Sequence, residues 1–311
     1  MGPGILDPRH ECQPRAGVDP VIEIDVHTHL APIRPEALST LPGVEWRADA
    51  EALILDGHRV GVKDLFHPER LLEWMSRHHI RRALVSIPPP LYRQHLDLEA
   101  AHAWVRYVND ELALIAQRSQ GRLGALCYLP LEHPTLVEAW LQNGWDDRFE
   151  GVALAAGGHE KIVLSDASYE PLWQALNAAG AFVFLHPGAC ADPRLARFYL
   201  ENLVGNPYET GVAASHLVMA GVPARYPDIR FCLAHAGGVF ASLVGRLERG
   251  FETTRPDIPE GVERPLQAAR RFRVDCIAHH PSTLQLAQDI FGADHVMFGS
   301  DWPFPMGIPM P

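Results

Sequence analysis

The chain has 311 residues, 47% of them hydrophobic, enough to bury a full core. That length suits two ordinary domains or one α/β barrel of ~250 residues. A formal charge of −11 without any useful Lys/Arg run excludes nucleic acid and anionic membrane surfaces as expected partners, because both call for a basic patch.

Residues 1–20 are broken by Pro and Gly and carry charges where a signal peptide would be apolar, so they read as a loose arm before the first strand. Leu6 stands where a myristoylation signal requires Ser or Thr. From Val21 onward, short β-rich runs alternate with longer helical patterns, the signature of βαβ units and a parallel sheet. The predicted strands are Val21–Val26, Ala83–Ile87, Leu123–Tyr128, Gly151–Leu154, Phe182–Leu185, Ile229–Ala234, Phe272–Asp275 and His295–Phe298. Between them the 3.6-residue spacing predicts helices over Pro68–His79, Leu98–Ser119, Pro134–Asn143, Ser168–Ala179, Tyr208–Tyr226, Phe240–Phe251 and Pro281–Phe291. Eight strands with helices between them count as a single (β/α)8 TIM barrel over residues 21–311 that lacks its last helix. One insertion follows the first strand. Glu51–Asp64 reads as a hairpin turning at Asp56-Gly57, either a small lid over the barrel mouth or a decorative excursion.

No segment approaches the ~18 uninterrupted apolar residues of a membrane helix. The five cysteines Cys12, Cys127, Cys190, Cys232 and Cys276 are odd in number, far apart and form no Cys-x-x-Cys pair. They indicate neither a disulfide framework nor a thiolate zinc site and fit a reducing, cytoplasmic setting.

The chemistry concentrates at predicted strand ends. In Asp25-Val-His27-Thr-His29, residues two apart on a strand point the same way, so both imidazoles enter the barrel mouth together. His186 follows an apolar run and precedes Pro187-Gly188, His235 does the same before Ala236-Gly237-Gly238, and Asp301 comes after Gly299-Ser300. A lone histidine at any of these places reads as a satisfied structural residue. Four polar strand ends, on the first, fifth, sixth and eighth strands, converge on one cavity and read as a metal site.

Together DVHTHLAP, FLHPG, NPYET, FCLAHAGGVFASLVGRLERGF and GSDWPFPMG resemble the α-amino-β-carboxymuconate-ε-semialdehyde decarboxylase family of the amidohydrolase superfamily, over essentially the whole barrel from Val21 to Gly307. The resemblance implies that His27, His29, His186 and Asp301 hold one divalent cation and that His235 is the acid/base beside it. Three imidazoles and a carboxylate favour Zn²⁺, although Mn²⁺, Co²⁺ or Fe²⁺ suit the same set. Binuclear members of the superfamily use a carbamylated lysine on the fourth strand. Residues 151–156 contain none and Lys161 lies beyond them, so a single metal is expected. The resemblance further implies two arginines that grip substrate carboxylates, one of them reaching in from the neighbouring subunit of a homodimer. The latter falls on Arg246, which reads otherwise as a surface helix charge. The former falls nearest Arg59, where the register is loose and an exposed hairpin residue is the alternative. Phe304 occupies the position of an aromatic wall, or is a turn aromatic only.

The sequence also departs from the family. Gly188-Ala189-Cys190 stands where a tryptophan follows the His-Pro pair, opening that side of the pocket, and the Asp56-Gly-His-Arg-Val segment differs as well. The resulting expectation is a metal-dependent, non-oxidative decarboxylase of an unsaturated or aromatic carboxylic acid, with a hydrolase of a lactone, ester or amide, or a hydratase, as the alternatives. No organic cofactor is expected, since His27 and His29 stand where a dinucleotide fingerprint would place glycines. A barrel that has kept only its shape is disfavoured by the completeness of the set. A structural zinc site is disfavoured because such sites close all four positions with Cys and His.

Overall fold

The computed structural model describes residues 21–190, 192–258 and 260–310; the expected N-terminal arm, with Cys12, lies outside the described residues. Eight parallel strands follow one another in chain order around a barrel: β1 (Ile22–His29), β5 (Ile80–Ser86), β6 (Leu123–Leu129), β7 (Gly151–Ala155), β8 (Phe182–His186), β9 (Arg230–Leu233), β10 (Arg273–Asp275) and β11 (Val296–Met297). The first and last strands meet where the Val26 amide donates to the Phe298 carbonyl (3.0 Å) and the His29 amide to the Trp302 carbonyl (2.9 Å). The chain is thus a (β/α)8 barrel. Strands β6, β7 and β8 are buried at every residue, as strands covered by helices on one face and by a filled interior on the other must be. The interior is packed by Val26, Leu84, Leu126, Ala153, Phe182, Phe184, Cys232 and Ala234.

The helices are α1 (Pro35–Leu38), α2 (Pro68–Arg77), α3 (Leu98–Arg118), α4 (Pro134–Gln142), α5 (Glu170–Ala178), α6 (Asn206–Met219), α7 (Val222–Arg225), α8 (Phe240–Glu252), α9 (Pro265–Ala269) and α10 (Pro281–Phe291). Their starts are chemically marked. Asp97 caps α3 by accepting the Ala100 amide (2.9 Å), and proline opens α2, α4 and α10, where a missing N–H costs nothing. Buried Asn109 of α3 donates to the Tyr128 carbonyl and accepts the Tyr128 amide, both at 2.9 Å, pinning the longest helix to β6.

Several expected boundaries move. β1 runs on to His29 instead of stopping at Val26, and a register shift against β5 between Asp25 and Thr28 bulges it. β11 shrinks to two residues, because His295 belongs to a 3₁₀ turn that precedes it. The helix expected over Tyr208–Tyr226 starts earlier, at a π-helical turn over Glu201–Gly205, and breaks where Gly221 takes a left-handed φ of 67° between α6 and α7. The helix expected from Ser168 opens with a 3₁₀ turn over Ala167–Tyr169.

The insertion is larger than the expected Glu51–Asp64 hairpin. It forms a three-stranded antiparallel sheet of β2 (Val44–Arg47), β3 (Ala52–Leu55) and β4 (His58–Arg59), followed by a 3₁₀ turn over Lys63–Phe66. The turn itself is as expected: Asp56 and Gly57 both have positive φ, at 51° and 84°. The sheet is not a loose flap, since Leu53, Leu55 and Val60 are buried in the main core. Arg93, after β5, clamps the turn by donating to both Asp56 carboxylate oxygens (2.8 and 2.6 Å) and to the Pro42 carbonyl (2.8 Å), with its guanidinium over the Trp104 ring. The Arg93 side chain is 1% exposed, so removing its partner would strand a buried charge. Asp56→Ala is expected to destabilise the fold by about 3 kcal/mol, read as a fall of several degrees in Tm; an unchanged Tm would show that the clamp carries no stability.

Candidate metal centre

β1 brings His27 and His29 to the mouth, and the bulge between Asp25 and Thr28 re-aims the strand where the first ligand leaves it. β8 ends on His186, and the turn after β11 presents Asp301 with a left-handed φ of 58°. One ligand atom from each of these four buried residues lies within 4.8 Å of the others. His27 Nε2 is 3.0 Å from His29 Nε2, and Asp301 Oδ1 is 3.3 and 3.4 Å from those two nitrogens. Donor atoms placed tetrahedrally around an ion at ~2.0–2.1 Å would stand about 3.3 Å apart, so this face of the cluster has the dimensions of a coordination sphere.

Each imidazole is held by its other nitrogen. His27 Nδ1 donates to Asp275 Oδ2 (2.7 Å), His186 Nδ1 to the Pro187 carbonyl (2.9 Å), and His29 Nδ1 lies 3.1 Å from the Ser86 hydroxyl. With Nδ1 carrying the proton, the Nε2 lone pairs face the common centre. Asp275 does more than hold one ring. Its carboxylate also accepts the backbone amides of His235 (2.9 Å), Ala236 (2.8 Å) and Ile277 (3.0 Å), tying β10 to the turn after β9. Asp25 does the same on the other side, accepting the His27 and Ser300 amides at 3.0 Å.

The electrostatics follow from burying two carboxylates against four imidazoles. Burial opposes charge on His27, but Asp301 and then Asp275 outweigh it and raise its pKa to about 10. Burial lowers the pKa of His29, and burial together with the other imidazoles holds His186 well below the usual histidine range. Burial likewise opposes ionisation of Asp301, yet His27 and His29 hold its carboxyl well below the usual carboxylate range. Two ready imidazoles, one ionised carboxylate and a third imidazole carrying a replaceable proton are a donor set that a divalent cation fits.

His235 sits beside this set. Its ring centroid is 5.3 Å from that of His27 and 5.2 Å from that of His186, and its φ of 56° is left-handed. Burial and then His27 lower its pKa to about 4. Its Nδ1 is buried and has no hydrogen-bond partner among the described residues, an orphan polar atom at the edge of the cluster. Phe304 packs edge-on against His29 at 5.5 Å.

The other sequence candidates lie apart. Arg59 is exposed on β4, and Arg246 is exposed on the outer side of α8; among the described residues neither bonds to the cluster. Lys161 is exposed, beyond the turn after β7. His159 accepts the Lys161 amide and His280 caps α10, so both are used locally. The opening left by Gly188 is filled from elsewhere, by the side chain of Gln94. Sequence reasoning missed Asp275 as a site residue, although it is a polar residue ending an apolar run, the same signal that marked His186 and His235. Gln94 carried no signal at all.

The amidohydrolase family profile matches residues 24–311, and the chain belongs to that family. The chain is 32% identical over 346 residues to the 2-amino-3-carboxymuconate-6-semialdehyde decarboxylase of Caenorhabditis elegans, covering 92% of this chain and 86% of that protein. It is 33% identical over 229 residues to the 6-methylsalicylic acid decarboxylase of Penicillium expansum, covering 72% and 71% of the two chains. Among solved structures, a dihydroxybenzoic acid decarboxylase from a Polaromonas species, with bound manganese and the inhibitor 2-nitroresorcinol, shares the fold at a TM-score of 0.71 and 21% identity, covering 93% of this chain and 88% of that one.

At neutral pH the metal-free site holds a proton on His27, whose pKa of about 10 lies above the solution pH, and none on His29, His186 or His235, whose values are lowered. A cation needs His27 neutral. Calorimetric titration of Zn²⁺ or Mn²⁺ at pH 7, in two buffers of different ionisation enthalpy, is expected to show about one proton released per ion, with affinity rising as pH rises. Binding without proton release would mean that His27 is already neutral.

Proposed function

We propose that this amidohydrolase is a metal-dependent, non-oxidative decarboxylase of an aromatic or unsaturated carboxylic acid, with His27, His29, His186 and Asp301 as ligands of one divalent cation. The observation that carries the reading is the orphan Nδ1 of His235 beside those four convergent donors, in a chain whose relatives are decarboxylases. The three-imidazole set favours Zn²⁺ by ligand type, while the manganese of the Polaromonas enzyme makes Mn²⁺ the first alternative. When bound, the cation would orient a substrate oxygen and stabilise negative charge that develops beside the departing carboxylate.

The chain's own residues supply the rest. As CO₂ leaves, the electron pair of the broken carbon–carbon bond stays on the substrate carbon, which must take a proton. His235 is the group placed to deliver it. Burial keeps this imidazole neutral in the resting site, so its proton arrives with the substrate or from solvent. The contact of Asp275 with the His235 backbone amide holds the residue in its left-handed turn, and Phe304 supplies an aromatic wall against His29. Arg246 has no ion-pair partner among the described residues and stands exposed on α8. That placement suits a guanidinium that forks onto a substrate carboxylate in the second subunit of a homodimer. Arg59, exposed on β4, is the second candidate for a carboxylate clamp.

His235→Ala is expected to retain its metal and to lose on the order of a hundred- to ten-thousand-fold in turnover, measured as CO₂ released from hydroxybenzoates and carboxylated dienes. Full activity in that variant would remove the acid/base role, and substrate opening with all carbon retained would make the enzyme a hydrolase.

Arg246→Ala is expected to raise KM about tenfold, the worth of a charge-assisted hydrogen bond. If Arg246 crosses between subunits, mixing it with His235→Ala restores one intact site per mixed dimer, or about a quarter of wild-type activity after random pairing. No recovery would confine Arg246 to its own chain.

A further inference from the structure

Gln94 follows β5, yet its side chain reaches across the end of β6 to the far strands. Its Nε2 donates to the Gly157 carbonyl (3.0 Å), just beyond β7. Its Oε1 lies where side chains on two other glycines would begin, 2.5 Å from a Cβ built on Gly158 and 2.9 Å from one on Gly188. A Cβ on Gly157 would run into the Glu209 carboxylate, which reaches the same place from α6. Gly157 and Gly158 have positive φ, at 154° and 86°, so their lack of side chains is enforced by backbone as well as by space. Gly188 lies two residues beyond His186, and the Ala156 amide donates to the His186 carbonyl (2.9 Å), so this glycine floor is continuous with the metal centre.

The orientation of the carboxamide follows from its anchor. A backbone carbonyl only accepts, so the amide nitrogen must face Gly157 and the oxygen must face away. Among the described residues no donor meets that oxygen. Glu209 adds a second acceptor beside the same floor. The Gln94 carboxamide keeps one N–H free and the Cys190 thiol lies on Glu209, so the unpaired acceptor of this floor is the Gln94 oxygen, which matches a group that donates.

We propose that Gln94 is a specificity-determining residue, its Oε1 accepting a hydrogen bond from a hydroxyl or amino substituent on the substrate acid. The inference rests on the decarboxylase reading and adds to it the substituent that the pocket selects. A site built around such a contact rejects the analogue that lacks the donor, because the acceptor then loses that partner.

The test uses the metal-loaded protein and benzoates that carry one hydroxyl or one amino group at the ortho, meta or para position, with benzoate itself as the parent. Dissociation constants come from calorimetry, and KM and kcat from CO₂ release wherever turnover occurs. Wild-type protein is expected to prefer one hydroxylated or aminated position over benzoate by at least about tenfold, the effect of a single hydrogen bond. Gln94→Leu should abolish that preference through KM and the dissociation constant, weakening the substituted acids far more than benzoate while the metal content is kept. Gly188→Ala, whose Cβ would displace the carboxamide oxygen, should reduce the preference in the same direction without touching Gln94. A preference intact in both variants overturns the proposal, as does an equal loss for substituted and parent acids. Wild-type protein that binds no substituted acid better than benzoate also overturns it. Failure to release CO₂ from any acid, with the binding preference present and lost in Gln94→Leu, would instead sink the decarboxylase reading and leave the role of Gln94 standing.

Discussion

Two carboxylates, Asp275 and Asp301, are buried against His27, and buried negative charge is tolerated only beside a positive partner. That requirement organises the mouth of the barrel. In the metal-free protein a proton on His27 meets it: Asp301 and Asp275 raise the pKa of this imidazole, while burial first of all lowers those of His29 and His186. A divalent cation meets it better, because it can contact three imidazoles and a carboxylate at once. Binding of such an ion at these donors would exchange a proton for it, and its affinity would then depend on pH.

The constraint reaches beyond the ligands. Asp275 couples a ring on β1 to the backbone amides of His235 and Ala236, so the acid/base candidate and a metal-ligand candidate share one anchor. His235 and Asp301 both sit in left-handed backbone conformations that non-glycine residues seldom adopt. Such conformations persist where surrounding bonds over-determine them. Here they do, through Asp275 for His235 and through the Asp301 amide, which donates to the His27 carbonyl at 2.8 Å.

Around this rigid centre the pocket walls come from unrelated stretches of chain. Phe304 comes from the turn after β11, Gln94 from the loop after β5 and Glu209 from α6, the last two meeting over glycines at the ends of β7 and β8. The candidate metal centre and the acid/base candidate are built from strand ends, whereas the groups that would choose a substrate come from loops and from α6. The relatives carry different acids in their names, which fits substrate choice by the loops around the barrel mouth.

The sequence by itself determined the barrel and which side chains gather as the candidate metal cluster. Both rest on local pattern: apolar runs of strand length separated by helical periodicity, and a polar residue at the end of four of those runs where a turn residue was due. His27, His29, His186, His235 and Asp301 came together as that pattern required. Only the tertiary structure decided the rest, because it depends on contacts between residues far apart in the chain. The Asp275–His27 bond spans 248 positions, the Arg93 clamp turns an expected lid into part of the core, and Gln94 fills a space created by Gly188. A side chain that reaches across a barrel leaves no periodicity behind it, so its role is set by distance in space and not by spacing along the chain.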